Sequence, residues 1–459
     1  MRNTENSVNP PLTVNPEEYG LLTDLYQLTM VACYAGEGLE ERPASFELFT
    51  RRLPAGWGYA VAMGLSQAVE YLEQLQFTPE QIASLKTTGI FANAPSAFWS
   101  LLESAKFTGD LWAVPEGTVV FPNEPILRID APLWQAQLVE TYLLCTINYQ
   151  TAIATRAARM RDAAGPNAIL LEFGTRRAFG PGAAIWAARA ALAAGLDATS
   201  NVLAALKLGR KPTGTMAHAL VMALTATEGS EMQAFTTFHH YFPGAPLLID
   251  TYDTLNAARK LAERVKTGEV ELAGVRIDSG DLVSLSQEVR SLLPEVPIFA
   301  SGDLDEWEIA ALKAAGACID GYGLGTRLVT GTPVNGVYKL VDLDGIPVMK
   351  QSSGKPSYPG RKQVFRRTVD GVVAGDRLAL ATETPLDGET PLLDLVVKGG
   401  ERVVPADTLE EIAVRTSASV AALPLETRRL DDPISIDVVV SPQLQALREQ
   451  TKKQIDNSH

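Results

Sequence analysis

GVRIDSGDL (274–282), VPIFASGDLDEWEI (296–309) and ACIDGYGLGTRLVTG (317–331) repeat one pattern: a short apolar run, a break in Gly, Asp or Ser, then a helical stretch. The runs start near 274, 297 and 318, a spacing of about one strand plus one helix. Such alternation predicts parallel strands joined by crossover helices. Upstream, AILLEFG (168–174) runs into TRRAFGPG and PLLID (246–250) into TYDT in the same manner. Closed into a barrel, these strands bring every one of the loops to the C-terminal edge, where barrel enzymes carry their chemistry.

The flanks differ in character. Residues 1–20, rich in Asn, Pro and Glu, predict a flexible arm, and 21–135 an N-terminal α/β domain. It opens on a helix whose apolar stripe includes Leu21, Leu22, Leu25 and Leu28, with Thr23 as N-cap. SFELFTRRL (45–53) and TVVFPNEPILRID (118–130) predict strands, and 133–161 is helical. The barrel domain occupies 136–335. Beyond it, 336–430 returns to short strands with Asp-Gly turns and is expected to pack on the N-terminal domain. A charged tail, 431–459, closes the chain.

With 459 residues and a formal charge of −14, the chain has room for several domains and a surface that repels nucleic acid and anionic lipid. Neither is expected as a partner, and an anionic ligand must meet a local cluster of Arg. Cys33, Cys145 and Cys318 show no disulfide or zinc spacing. The first 20 residues lack an apolar signal core and no later stretch is long and apolar enough to span a bilayer, so a cytoplasmic location is expected.

Four constellations can carry chemistry. Arg176 and Arg177, flanked by glycines at a strand end, suit bidentate recognition of phosphate or carboxylate, although a lone Arg-Arg pair is commonly a solvated surface feature. Arg276 and Asp278, two apart on a strand, point to one face and can converge on one ligand or neutralise each other. Gly321, Gly323 and Gly325 before Thr326 can present backbone N–H groups to a phosphate, or form a tight turn. His218 follows Gly214 and Thr215 into the first turn of an apolar helix, which suits nucleophilic or acid–base work as well as capping.

Together these stretches resemble nicotinate phosphoribosyltransferase, a type II phosphoribosyltransferase family. LLTDLYQLTM, FELFTRRLP, EFGTRRA, TSNVLAALKLG, GTMAH, GVRIDSGDL, GYGLGTRLVT and VYKLV carry the resemblance in order over about residues 21–340. It implies an irregular (β/α) barrel beside an α/β sandwich domain completed by the C-terminal segment. It also implies joining of nicotinate to phosphoribosyl pyrophosphate in NAD biosynthesis, with ATP hydrolysis coupled through a phosphorylated His218. By the same carry-over Asp278 serves the ribose, Arg276 the nicotinate carboxylate, Phe173 and Tyr26 sandwich the ring, and Thr215 offers a polar contact. Arg176, Gly323, Gly325 and Thr326 hold the 5-phosphate side. Mg2+ and ATP are the implied cofactor and co-substrate, with no metal ligands named. Tyr26 is expected from the second subunit of a homodimer with shared sites.

Position 219 is Ala where many members carry Glu or Ser, so this stretch names no partner that orients the imidazole. The nicotinamide-specific relatives place Asp at the position of Ser200; an Asp there repels a carboxylate, so Ser200 favours nicotinate. The alternatives are nicotinamide phosphoribosyltransferase and a catalytically silent binding protein of the same fold. Quinolinate phosphoribosyltransferase fits less well, having a much shorter chain.

Overall fold

The computed structural model describes residues 12–351 and 357–457. Pro16 opens a 3-10 helix, Pro16–Leu21, where its missing N–H is no loss. Tyr19 packs its ring on Tyr142, centroids 5.0 Å apart, and on Tyr71 at 6.1 Å. Within the segment expected as a flexible arm, residues 16–20 carry this aromatic contact, and residues 1–11 lie outside the described residues. The first α-helix is Leu25–Glu37 with Asp24, not Thr23, at the N-cap. Leu21 and Leu22 belong to the preceding 3-10 turn, which the spacing of leucines merged with the helix.

Among the described residues, an antiparallel seven-stranded sheet runs in the order Ile346–Pro347, Gly336–Leu343, Pro43–Thr50, Pro125–Pro132, Asp110–Ala113, Asp394–Lys398 and Glu401–Arg402. Strands from beyond the barrel thus form both edges of the N-terminal sheet. Ala44 pairs with Leu343 on one side of the central strand and with Ala131 on the other. Phe46 stacks on Tyr338 with ring centroids 5.0 Å apart, which ties the two segments through a buried aromatic pair. The Asp344–Gly345 and Asp370–Gly371 turns have positive φ at both residues, the conformation that two-residue hairpins demand.

A second sheet, six-stranded and parallel, has the order Ala198–Thr199, Ile169–Glu172, Gly321–Leu324, Ile298–Ser301, Val275–Ile277, Leu247–Leu248. Its outer strands do not pair with each other. The segment 211–217 lies across the gap: Thr213 N donates to Thr199 O at 2.9 Å, and Thr215 Oγ1 to Pro246 O at 2.5 Å. That seam makes the barrel irregular. Helices Glu140–Ala164 and Pro181–Ala193 back it through Ala154, Ala157, Ala187, Ala190 and Ala191, all fully buried, small side chains that let the two helices approach closely.

Beyond the barrel, a four-stranded sheet orders Glu389–Pro391, Lys362–Val369, Val372–Leu380 and Val438–Val440. Within the segment expected as a charged tail, the chain after Val438–Val440 forms the helix Pro442–Asn457, which buries Leu444 and Thr451, so one edge suffices to dock a mostly polar segment. Among the described residues no helix is long and apolar enough to cross a membrane.

Candidate active site

The parallel register aligns the strand ends. Glu172 lies opposite Leu324 and Thr199, Ser301 opposite Gly323, and Ile277 opposite Ala300. The loops that follow enclose a cavity of about 740 Å³. Phe173, Arg176, Ser200, Thr215, His218, Arg276, Asp278, Gly323, Gly325 and Thr326 all line it, so residues spread over 150 positions of sequence reach one mouth. Tyr26 does not: it lies exposed on the helix Leu25–Glu37, away from the cavity of its own chain.

Arg276 is largely buried. Its Nη2 donates to Met216 O at 3.1 Å, while its Nε is buried without a partner. Burial pulls the guanidinium below its usual range, and Asp278 and Asp250 pull it back up; arginine keeps its charge through such shifts. A buried cationic donor left free beside a cavity is a seat for an anionic ligand group. Asp278 is held otherwise. Ser301 Oγ donates to its Oδ1, and its backbone N donates to Asp250 Oδ2 at 2.9 Å. The alternative of mutual neutralisation thus gives way to two side chains anchored by different partners.

Asp250 also accepts from Ser279 Oγ at 2.7 Å, and its Oδ1 is buried without a partner. Asp281, by contrast, caps the helix Leu282–Leu292 through Val283 N and Ser284 N and takes no part in the cavity. Phe173 can lie flat because Gly323 is a glycine: a Cβ there would stand 2.6 Å from the ring. Gly321 lies lower in the barrel against Phe299, outside the cavity. Thr215 lines the cavity, but its hydroxyl proton is committed to Pro246 O in the seam.

His218 is the first residue of the helix His218–Glu228. Its Nδ1 lies 3.0 Å from Thr251 Oγ1, the partner that the stretch around Ala219 did not supply. Sequence reasoning also passed over Asp250, Ser301 and Asp303. A signal was present: SGDL occurs at 279–282 and again at 301–304, each time at the end of a strand.

Residues 21–148 match the family model for the nicotinate phosphoribosyltransferase N-terminal domain, 169–296 that for the nicotinate phosphoribosyltransferase family, and 388–448 that for its C-terminal domain. Nicotinate phosphoribosyltransferase pncB2 of Mycobacterium tuberculosis is 42% identical over 444 residues, covering 93% of this chain and 94% of its own. The chain belongs to the nicotinate phosphoribosyltransferase family. The Bacillus subtilis nicotinate phosphoribosyltransferase is 44% identical over 367 residues, covering 76% of this chain and 73% of its own. The crystal structure of human nicotinic acid phosphoribosyltransferase superposes with a TM-score of 0.82 at 30% identity, over 93% of this chain and 99% of that one. Family membership extends across both sheets, so the irregular barrel and the sandwich completed from the C-terminus are the family fold.

Proposed function

We propose that this chain forms nicotinate mononucleotide and pyrophosphate from nicotinate and phosphoribosyl pyrophosphate, as a step of NAD biosynthesis. The observation that carries the reading is Arg276, a buried guanidinium with a free Nε, beside the anchored carboxylate of Asp278 in one cavity. Arg276 binds the nicotinate carboxylate and Phe173 stacks on the pyridine ring. The ring nitrogen then attacks C1 of the ribose; the new C–N bond takes the nitrogen lone pair, and the C1–O pair leaves with pyrophosphate. Charge that develops on the ribose faces Asp278, whose Oδ1 is held in place by the Ser301 hydroxyl. Arg176, with Arg177, Gly323, Gly325 and Thr326, holds the phosphates.

His218 accepts a phosphoryl group from ATP. With Nδ1–H donating to Thr251 Oγ1, the Nε2 lone pair is left as the nucleophile. The helix that starts at His218 favours the resulting anion through its N-terminal dipole. The phosphohistidine tightens substrate binding and is hydrolysed within the cycle, while the glycosidic step belongs to the ribose pocket.

Mg2+ is compatible with the donors present. Among the described residues no group of three or more His, Cys, Asp and Glu side chains is disposed to hold a metal. Magnesium commonly takes one or two carboxylates and completes its shell with water and phosphate oxygens. Asp278 and Asp303, the carboxylates on the cavity wall, are those that would hold it. Bound there, it would supply positive charge to offset that on the departing pyrophosphate.

Tyr26 completes the ring sandwich from a second subunit, which makes the active unit a homodimer with shared sites. Measuring mononucleotide formation from nicotinate and from nicotinamide, with and without ATP, tests the reading. Strong preference for nicotinate and stimulation by ATP are expected; turnover of nicotinamide at an equal rate overturns it.

A further inference from the structure

Glu172, the last residue of the strand Ile169–Glu172, is fully buried and faces no cation in its hydrogen-bond shell. Its Oε1 accepts from Gly174 N, and its Oε2 accepts from Thr199 Oγ1 at 2.5 Å. Its main-chain carbonyl accepts from Ser200 N at 2.9 Å and from Ser200 Oγ at 3.1 Å. Burial pushes the Glu172 carboxyl up, and the Thr199 and Gly174 donors draw it back. A buried carboxylate without a cation is costly, and folding alone is served as well by an apolar residue.

The two donors sit on different segments. Gly174 lies in the 173–177 loop, which carries Phe173, Arg176 and Arg177 to the cavity. Thr199 ends the strand that leads into Ser200 and the helix start at Val202, both on the same cavity. Thr199 Oγ1 in turn accepts from Asn201 N at 2.9 Å, and Asn201 Oδ1 caps the helix Val202–Lys207 through Ala204 N at 3.0 Å. The chain of bonds runs from the ring-stacking loop through one carboxylate to the helix behind Ser200.

We propose that Glu172 is a positioning residue for pyridine specificity: through the Thr199 hydroxyl its carboxylate locks the Ser200 loop against the Phe173 loop, so that both meet the same ring. This rests on the reading of the cavity as a nicotinate site. An amide at 172 keeps an acceptor for Gly174 N–H and turns its NH2 toward Thr199 Oγ1, so Glu172→Gln reverses this hydrogen bond, whereas Thr199→Val deletes it.

The test is steady-state kinetics of both variants, their double variant and Thr199→Ser, with thermal melting alongside. Thr199→Val is expected to raise the KM for nicotinate roughly fivefold or more, the scale of one hydrogen bond, and Glu172→Gln to raise it less. Each should also lower selectivity for nicotinate over nicotinamide, with the KM for phosphoribosyl pyrophosphate changed less than about twofold. The double variant should be no worse than Thr199→Val, in which the link is already broken. Thr199→Ser, which keeps the hydroxyl, should match the wild type. If Glu172→Gln does not fold, the Thr199→Val and Thr199→Ser pair decides alone. Additive effects, equal losses for both substrates, or wild-type selectivity in Thr199→Val overturn the proposal. Failure of the underlying reading shows separately, as a wild-type protein that makes no nicotinate mononucleotide.

Discussion

The imidazole Nδ1 of His218 and the hydroxyl of Thr251, 3.0 Å apart, join the start of one helix to the loop that follows the strand Leu247–Leu248. His218→Ala should abolish stimulation by ATP and leave slow, ATP-independent synthesis. Thr251→Val keeps the imidazole but removes the group that orients it, and should weaken ATP stimulation roughly fivefold. Rates measured with and without ATP check both. Undiminished stimulation in His218→Ala would remove this residue from the phosphoryl path.

Arg276→Gln keeps the length of a polar side chain but loses the charge. Truncating one partner of a buried charge pair typically costs about 2–5 kcal/mol. The kcat/KM for nicotinate should fall roughly 30-fold to several thousand-fold, with a much smaller change in the KM for phosphoribosyl pyrophosphate. Comparable losses for both substrates would reassign Arg276 to the phosphates.

The location of Tyr26, exposed and away from its own cavity, sets up a complementation experiment. Tyr26→Ala and Asp278→Asn chains, each inactive alone, are mixed and allowed to exchange subunits. Random pairing makes about half the dimers mixed, each with one intact site, so about a quarter of wild-type activity should return. Persistent inactivity in a sample shown to contain mixed dimers would place the whole site within one subunit.

Far from the cavity, Glu124 and Asp376 are two buried carboxyl groups near a single buried guanidinium, Arg366. Arg366 serves Asp376 through Nε–Oδ1 at 2.9 Å and Nη2–Oδ2 at 2.5 Å. Burial first, and then Asp376, push the Glu124 carboxyl well above its ordinary range. The native state thus holds a proton that the unfolded chain releases above about pH 4.3. Its stabilising effect is complete below that pH and is lost as pH rises toward the folded value. Glu124→Gln imitates the protonated form, so its melting temperature should gain on the wild type steadily between about pH 5 and 8. A difference constant with pH would show that Glu124 is ionised in the fold.

Most of the parallel strands were legible because the apolar run stops at Asp, Glu or Ser, which marks the strand end and the cavity edge at once; Gly321–Leu324 differs, since Asp320 precedes it and Gly325 ends it. Arg276 and Asp278 stood out for the same reason, whereas His218 stood out at a Gly-Thr turn leading into an apolar helix. The seam was not legible. Residues 211–217, KPTGTMA, show neither a two-residue nor a helical period, and they close the barrel through a backbone bond at Thr213 and a side chain at Thr215. The role of Thr251 was hidden because its partner lies 33 residues away and only the fold brings them together. The helix Pro442–Asn457 escaped because its charged residues outweigh the few that touch the core.

The strand Pro43–Thr50 lies between Pro125–Pro132 and Gly336–Leu343. On the ribosome one of its edges finds a partner early, while the other stays open until residue 343 has emerged. All six barrel strands, spanning 169–324, are synthesised in that interval. An unpaired edge of seven buried residues is a template for pairing with another nascent chain. The sheet is thus completed only by strands made some three hundred residues after it begins, and a chain that stops between residues 324 and 336 carries all six barrel strands beside an edge left without its partner.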